Sequence, residues 1–405
     1  MFLDSKKKNE CYGCESCVQV CLKNAITIFE DDEGFRYPKI DDKACINCGM
    51  CRRVCPYEFE IPKIRDNQSA FGGYALDGTI RFQSTSGGAF SAIAKAFCDE
   101  SFVLFGAESK GLGVFHSQID NLAELAKFRK SKYSQSIIGH SYERAKKSLI
   151  EGKKVLFSGT PCQIAGLKTY LGQTAQDKLL TVEVVCEGVP SPLYIRKMQS
   201  KLEDNYKTKV ESIDYRYKGK STFGNGKWDF QVMEITGVKK KPIRLDRWFN
   251  PFWSVWLQHL MSRPSCYDCK YAERGRVADI TLGDLWGVHL YCPELYGKNG
   301  GSSLVICNSE KGKSVFDKAK EYMFGHDLVF EEALKYQSPL RKHIDSNPSR
   351  ELFMADLKSD LSYDELNKKW AKKPTFKLLW QKYIWGNRQK VALWRFFHGK
   401  EKHND

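Results

Sequence analysis

The sequence CYGCESCVQVC at residues 11–21 returns at residues 45–56 as CINCGMCRRVCP, and these two stretches decide the fold of the N-terminal part. In both stretches the cysteines are spaced C-x2-C-x2-C-x3-C. Three thiolates at two-residue gaps wrap one 4Fe-4S cube, and the fourth cysteine ligates the neighbouring cube. The spacing therefore predicts two clusters, with Cys11, Cys14, Cys17 and Cys55 as the ligands of one and Cys45, Cys48, Cys51 and Cys21 as those of the other.

Other roles for these eight cysteines match the spacing poorly. Zinc sites use two C-x2-C pairs that lie further apart. A disulfide framework needs an oxidising compartment, whereas residues 1–10 are polar and lack the apolar stretch of a signal peptide. We therefore expect a cytoplasmic protein with a ferredoxin-type two-cluster module over residues 1–67.

The sequence around and after the cysteine runs predicts an α+β protein of three parts. Residues 25–29 and 35–40 predict a hairpin that braces the cluster loops. From residue 72 to residue 345, apolar runs alternate with helical stretches, which indicates an α/β domain with a mixed sheet. The apolar runs are 102–105, 155–157 and 181–185, and the helical stretches are 89–98, 142–150 and 193–202. Residues 346–405 predict a basic helical tail.

The formal charge of +15 is concentrated in that tail, because residues 368–405 contain eleven Lys or Arg against two acidic residues. No nucleic-acid-binding signature accompanies the charge, so we expect no nucleic-acid partner. A basic surface also steers small acidic electron carriers. We therefore favour a ferredoxin or a flavodoxin-like protein as the electron donor.

The tail contains an apolar stripe at helical spacing. Its members are Phe376, Leu379, Trp380, Tyr383 and Ile384. We expect a helix that packs this stripe on the main domain. The alternatives are peripheral contact with an anionic membrane and contact with a partner protein.

Seven cysteines lie outside the two runs. Cys162 and Cys186 follow predicted strands, and Cys266 and Cys269 form a C-x2-C pair. Together these four supply enough thiolates for another metal centre, and their spacing leaves iron–sulfur and structural zinc both open. The remaining three lack ligand spacing, and we interpret them as core residues: Cys98, Cys292 and Cys307.

Five segments in a fixed order carry a family resemblance. They are SGG at 86–88, SKYSQS at 131–136, GTPCQ at 159–163, CEGVPS at 186–191 and ADITLGD at 278–284. Together they resemble the coenzyme F(420) hydrogenase/dehydrogenase beta-subunit family over residues 72–345. An N-terminal two-cluster ferredoxin is a frequent fusion in that family.

The resemblance implies a function that the residue spacing alone does not. The domain would bind FAD noncovalently, and Cys162, Cys186, Cys266 and Cys269 would ligate a third 4Fe-4S cluster. Electrons would pass from a ferredoxin-like donor through clusters and FAD to an organic two-electron acceptor, with a deazaflavin as the acceptor of the family's name. The alternative is a non-catalytic subunit that delivers electrons to another polypeptide. The G-x-G-x-x-G fingerprint of dinucleotide-binding sites does not occur, so the prediction of FAD binding rests on the resemblance alone.

The same motifs supply candidate FAD contacts, and each motif also has an alternative, purely structural interpretation. Backbone amides ahead of the 89–98 helix would approach the pyrophosphate, and helix capping by Ser86 is the alternative. The second motif would contact the flavin or its phosphates, unless it is a solvated helix face. Asp279 and Asp284 match the last motif, where bonding within the loop is expected. The candidate contacts are Thr85, Ser86, Gly87, Gly88, Lys132, Tyr133, Gln135, Ser136 and Thr160.

Overall fold

The structure is a computed structural model that describes residues 1–99, 101–220, 228–296 and 300–397. The last eight residues of the predicted tail, 398–405, lie outside the described residues. Thirteen strands occur in the described part: β1 Ile26–Glu30, β2 Arg36–Ile40, β3 Ser69–Ala75, β4 Phe102–Lys110, β5 Gly113–Ile119, β6 Lys154–Gly159, β7 Leu179–Val184, β8 Ser212–Tyr217, β9 Val232–Thr236, β10 Ile243–Leu245, β11 Ile280–Asp284, β12 Ser303–Cys307 and β13 Met323–Leu328.

The described residues also form α-helices before, between and after these strands. They are α1 Phe2–Ser5, α2 Ser16–Gln19, α3 Met50–Arg53, α4 Gly78–Gln83, α5 Ala89–Phe97, α6 Ser141–Ile150, α7 Pro161–Leu171, α8 Pro192–Tyr206, α9 Pro251–Trp256, α10 Val288–Tyr291, α11 Glu310–Ala319, α12 Phe330–Lys335, α13 Arg350–Lys358, α14 Tyr363–Trp370, α15 Phe376–Leu379 and α16 Asn387–Phe397. A π-helix, Trp380–Ile384, follows α15 directly.

The N-terminal module contains the predicted hairpin. Strands β1 and β2 pair antiparallel, with Ile26 opposite Ile40. The acidic turn between them is closed by Asp31, whose Oδ1 accepts hydrogen bonds from the backbone N–H groups of Glu33 and Phe35. The two cysteine loops lie beside the hairpin, and each contains one short helix, α2 or α3. The hairpin therefore braces both loops.

The main domain is built on one mixed sheet of eight strands, which confirms the predicted mixed sheet. The strand order is β13-β3-β12-β11-β7-β6-β4-β5. The four central strands, from β11 to β4, run parallel, and antiparallel strands lie on both sides of them. Because parallel strands end at the same edge, the residues after β6, β7 and β11 meet at one place. Binding sites of α/β folds favour that edge.

Alternation along the central strands places apolar side chains on both faces of the sheet. In β6, Val155 and Phe157 pack in one core with side chains of α6 and α7. Leu156 points to the other face and packs in a second core with side chains of α5 and α11. The sheet is thus covered on both faces, as a buried parallel sheet requires.

A smaller antiparallel sheet, with the order β10-β9-β8, lies beside the main one. Together with α8, α9, α13 and α14 it encloses a separate core that is rich in aromatic residues. Phe252, Trp253 and Trp256 of α9 are buried in this core. The two tryptophans also face the large cavity described below.

The helix predicted for the apolar stripe of the tail is present, but its stripe is not buried. Helix α15 and the π-helix run without a break from Phe376 to Ile384, and Phe376 and Ile384 remain 78% and 54% exposed. Tyr383 is the stripe's polar anchor, since its hydroxyl donates to Asp246 Oδ2 at 2.7 Å. The prediction of a buried stripe was wrong because helical periodicity identifies an apolar face but cannot show that another element covers it. In the described residues, no helix is long and apolar enough to span a membrane.

Candidate iron–sulfur and cofactor site

The first cysteine run and the last cysteine of the second run meet in space. The structure places Cys11, Cys14, Cys17 and Cys55 around one cavity. Burial raises the pKa of the Cys14 and Cys17 thiols well above their ordinary value, and the neighbouring cysteines raise it further. Because iron binds the thiolate, cluster assembly here must displace these protons. The four cysteines brought together are those that the spacing assigned to one cluster.

The remaining four cysteines of the module lie nearer the surface. Cys48 is exposed, whereas Cys51 and Cys21 pack partly buried in one small apolar cluster. Cys45 and Cys48 are the cysteines that electrostatically raise the pKa of Cys51, after its burial. A cluster held by this group would therefore lie closest to solvent, where an external electron carrier can reach it.

In the described part of the chain, no group of three or more His, Cys, Asp or Glu side chains is arranged to hold a single metal ion. A cubane imposes a different geometry, because each of its four thiolates binds a different iron atom. The sulfur atoms around a cluster are therefore further apart than ligands of one ion. The arrangement of the cysteines is compatible with cluster ligands.

The structure also brings the four dispersed cysteines together. Cys162 lies in the first turn of α7, Cys186 follows β7, and Cys266 and Cys269 lie in and after a 3-10 turn. All four line one cavity. Burial raises the pKa of Cys266 to about 11 and that of Cys269 to about 12. The N-terminus of α7 favours negative charge, and the Thr160 hydroxyl lies 3.2 Å from Cys162 Sγ.

Two residues that the sequence analysis did not single out lie between two of the cysteine groups. The first cysteine group is Cys11, Cys14, Cys17 and Cys55, and the third cysteine group is Cys162, Cys186, Cys266 and Cys269. Tyr12 lines both cavities. Arg263 is 1% exposed, and its Nε donates to the Cys11 carbonyl at 2.9 Å while its Nη1 donates to Gln135 Oε1 at 2.9 Å. Its guanidinium also lies 4.4 Å from the ring centroid of Tyr37. A buried cation thus lies between two groups that would carry negative clusters.

A large cavity of about 510 Å³ opens at the carboxyl edge of the parallel strands. That volume is typical of ligand pockets. Eight of the nine predicted FAD contacts line it: Thr85, Ser86, Gly88, Lys132, Tyr133, Gln135, Ser136 and Thr160. The exception is Gly87, which is absent from the lining and whose backbone N–H donates to Ser303 Oγ at 2.8 Å.

The segment before α5 is not a serine-capped helix start. Gly88, with φ +94°, is the N-cap of α5, and no side chain caps that helix. The Ser86 hydroxyl instead donates to the Ser302 carbonyl. The capping alternative for Ser86 was therefore wrong. A Cβ at Gly88 would lie 3.2 Å from the Cβ of Ala75, so packing and backbone conformation both favour glycine there.

The second motif is an extended loop, so the alternative of a solvated helix face was also wrong. Several of its polar side chains already have protein partners. Gln135 Nε2 donates to the Tyr12 carbonyl at 2.8 Å, and the Ser136 hydroxyl lies 2.9 Å from His116 Nδ1. Lys132 Nζ donates to the Arg129 carbonyl at 2.6 Å, and burial lowers the pKa of Lys132 to about 8. Gln135 therefore joins the cavity wall to the first cysteine loop.

Further residues of the cavity wall carry buried polar atoms without a hydrogen-bond partner among the described residues. Arg216, 4% exposed, donates through Nη1 to Asp284 Oδ2 at 2.7 Å, while its Nε and Nη2 have no such partner. The indole N–H groups of Trp253 and Trp256 are likewise unpartnered. Native proteins rarely leave such donors unused. The wall therefore suits a polar, anionic cofactor, and FAD meets that description.

Sequence reasoning missed Arg216, Trp253 and Trp256, and it expected only loop bonding for Asp284. The pairing with Arg216 gives Asp284 a wider role, since it joins β11 to β8 across the cavity wall. Asp279 likewise bonds outside its own loop, because its Oδ2 accepts from the Thr181 hydroxyl of β7 at 2.7 Å. The adjacency of the two main cavities was also invisible in sequence: Cys186, Gly188 and Val189 line both.

Two family models match parts of this chain. Residues 10–59 match the model of the 4Fe-4S dicluster domain, so the chain is an iron–sulfur protein of the electron-transfer, oxidoreductase class. Residues 152–324 match the model for the C terminus of the coenzyme F(420) hydrogenase/dehydrogenase beta subunit. This match confirms the resemblance over that part of the chain. The matched residues include all four dispersed cysteines, whereas the motifs at 86–88 and 131–136 precede them.

Individual proteins add little detail. No curated protein matched the chain. Among solved structures, 13 chains matched. One comes from the F(420)-reducing NiFe hydrogenase complex of Methanosarcina barkeri, with 15% sequence identity, a TM-score of 0.43, and coverage of 76% of this chain and 91% of that one.

Proposed function

We propose that this chain is an FAD-dependent oxidoreductase that passes electrons from a ferredoxin-like donor, through three 4Fe-4S clusters, to an organic two-electron acceptor. The observation that carries the proposal is that the cavity of the third cysteine group lies next to the large cavity. Cys186 lines both cavities. In this proposal residues 1–67 receive electrons, and residues 72–345 hold the cofactor. The thiolate ligands suit a reducing compartment such as the cytoplasm.

The order of the electron path follows from burial and contacts. Electrons would enter at the group that contains the exposed Cys48 and pass to the buried group that contains Cys14. Tyr12 and Arg263 connect that group to the cavity of Cys162, Cys186, Cys266 and Cys269. The shared wall at Cys186 then leads to the large cavity.

Around Cys48 the chain offers a docking surface for an acidic donor. Arg52 and Arg53 are exposed on the second cysteine loop, and Ile46 is 63% exposed beside them. Opposite charges accelerate the encounter of electron carriers and align them. A small acidic ferredoxin or flavodoxin-like protein is therefore the donor that this surface suits.

The residues of the large cavity would bind and orient the cofactor. FAD, when bound, supplies the conversion between single electrons and electron pairs. Arg216 and Lys132 would hold negative phosphate groups, and the indole N–H groups of Trp253 and Trp256 would donate to polar atoms of the cofactor. The aromatic side chains of the wall would also limit the access of water to a bound cofactor.

The size and polarity of this cavity favour an enzyme over a relay subunit. A relay needs clusters near the surface but no ligand-sized cavity lined by unpartnered donors. An organic acceptor, in contrast, needs access to the cofactor beside the third cysteine group. A deazaflavin is one such acceptor, and the proposal extends to it only through the family's name.

Acid precipitation of anaerobically purified protein tests the cofactor directly. We expect the supernatant to contain FAD, at about one per chain, because one cavity of this size faces the third cysteine group. Chromatography with a flavin standard identifies the released compound. A supernatant without flavin, from protein whose clusters are fully loaded, would contradict the proposal and favour the relay subunit.

A further inference from the structure

The last described segments of the chain expose an unusual density of large apolar side chains. Phe376, Phe396 and Phe397 are 78%, 80% and 74% exposed. Three further apolar side chains in these segments are about half exposed: Trp380, Ile384 and Trp385. We call these six residues the C-terminal apolar surface. Exposed apolar groups of this extent mark interaction sites in soluble proteins.

Helix α16 shows that this exposure is built into the fold. Val391, 5% exposed, packs in the core beneath the antiparallel side of the main sheet. Phe396 and Phe397 lie five and six residues further on, so they project from the opposite side of an α-helix. Leu393 lies at i−3 and i−4 from them and is also exposed. The helix is thus anchored by one face and presents an apolar face to its surroundings.

The charged residues of the segment that contains this surface have one sign. From residue 366 to residue 400 the sequence contains no Asp or Glu. Lys372, Lys373 and Lys377 are exposed immediately before and within α15, and Lys390 is exposed on α16. A second copy of the chain would bring the same positive charge to the contact and would be repelled. The surface therefore suits an anionic occupant that also accepts apolar side chains.

We propose that the C-terminal apolar surface docks on the face of an anionic phospholipid bilayer. Tryptophan and phenylalanine next to lysine is the composition of helices that lie in a membrane interface. Helix α16 has only 11 residues and cannot cross a bilayer, so it would lie along the surface with Phe396 and Phe397 inserted. The lysines would face the phosphate groups of the lipids. This proposal is independent of the cofactor in the large cavity.

Vesicle sedimentation with the full-length, anaerobically purified protein tests the proposal. We expect the protein to sediment with vesicles of phosphatidylcholine and phosphatidylglycerol, and much less with phosphatidylcholine alone. In the triple variant Phe376→Ser, Phe396→Ser, Phe397→Ser, binding to the anionic vesicles should fall by about tenfold or more. The thermal midpoint should stay unchanged, because the three side chains are exposed. Replacing Lys372, Lys373 and Lys377 by Gln should weaken binding by about fivefold per lysine.

Leu352→Ser is the matched control, since Leu352 is 66% exposed on α13, outside the C-terminal apolar surface. This variant should bind vesicles like the unmodified protein. Equal binding of the triple variant, or equal binding to both vesicle types, would overturn the proposal. Absence of binding to either type of vesicle would also overturn the proposal, even if an acidic protein bound the surface instead. A dimer in analytical ultracentrifugation that the triple variant abolishes would assign the surface to a second copy and would equally overturn it.

Discussion

The double variant Cys266→Ser, Cys269→Ser should lose about four of about twelve iron atoms per chain and keep the other eight. The reason is that these two cysteines share a cavity only with Cys162 and Cys186, while the other eight cysteines of the two runs lie in a separate module. Iron analysis of anaerobically purified protein measures the loss. Reduction of the cofactor by an external one-electron donor should be largely lost as well, because the link from Cys14 to the large cavity is interrupted.

A control with two buried cysteines outside the groups makes this test specific. Cys98 and Cys307 are buried on the main sheet and its helices, in the core shared by α5 and α11. Their replacement by Ser should leave the iron content unchanged. If the Cys266 and Cys269 variant keeps all the iron of the unmodified protein, the third cluster is wrong. About eight iron atoms in both proteins would lead to the same conclusion, and zinc analysis would then follow.

Replacing Arg216 by Gln should produce the second large effect, on stability and cofactor content together. Arg216 and Asp284 form a buried ion pair at 2.7 Å, so removal of the cation leaves a buried, uncompensated carboxylate. We expect the free energy of unfolding to fall by about 3–5 kcal/mol. We also expect FAD content to fall, because the side chain's unpartnered Nε and Nη2 belong to the cavity wall. Denaturant unfolding and chromatography of released flavin measure the two effects.

The double variant Arg216→Gln, Asp284→Asn separates structure from binding. Removing both charges should restore most of the lost stability, because no unpaired charge remains buried. It should not restore FAD content, since the cation is still absent. Recovery of both quantities in the double variant would show that Arg216 acts only through the ion pair. That result would remove Arg216 from the set of cofactor contacts.

The parts of the fold that sequence predicted are those governed by local rules. The spacing of the two cysteine runs depends on loops of a few residues, so the grouping of Cys55 with Cys11 followed from ligand geometry. The strand that contains Val155 and Phe157 and the helix that begins at Ala89 followed from apolar patterning. The family resemblance added the meeting of Cys162 with the distant C-x2-C pair.

The parts that sequence did not predict depend on contacts between distant residues. Arg216 reaches Asp284 from 68 residues away, and Arg263 reaches Cys11 from 252 residues away. Neither residue lies in a motif, and as single arginines both would be expected on the surface. The exposed Phe376 was mispredicted for the related reason that burial depends on a second surface. The local sequence pattern thus identified the candidate cysteine ligands, but not the buried side chains that connect the cysteine groups and the large cavity.

Electron transfer within one purified chain tests the central claim most directly. The anaerobic holoprotein is mixed with a reduced ferredoxin, and the absorbances of flavin and iron–sulfur clusters are followed together. The account predicts that the clusters are reduced first and that the flavin absorbance then disappears, with uptake of about two electrons by each flavin. Reduced clusters beside a flavin that stays oxidised, or holoprotein that contains no flavin, would contradict it.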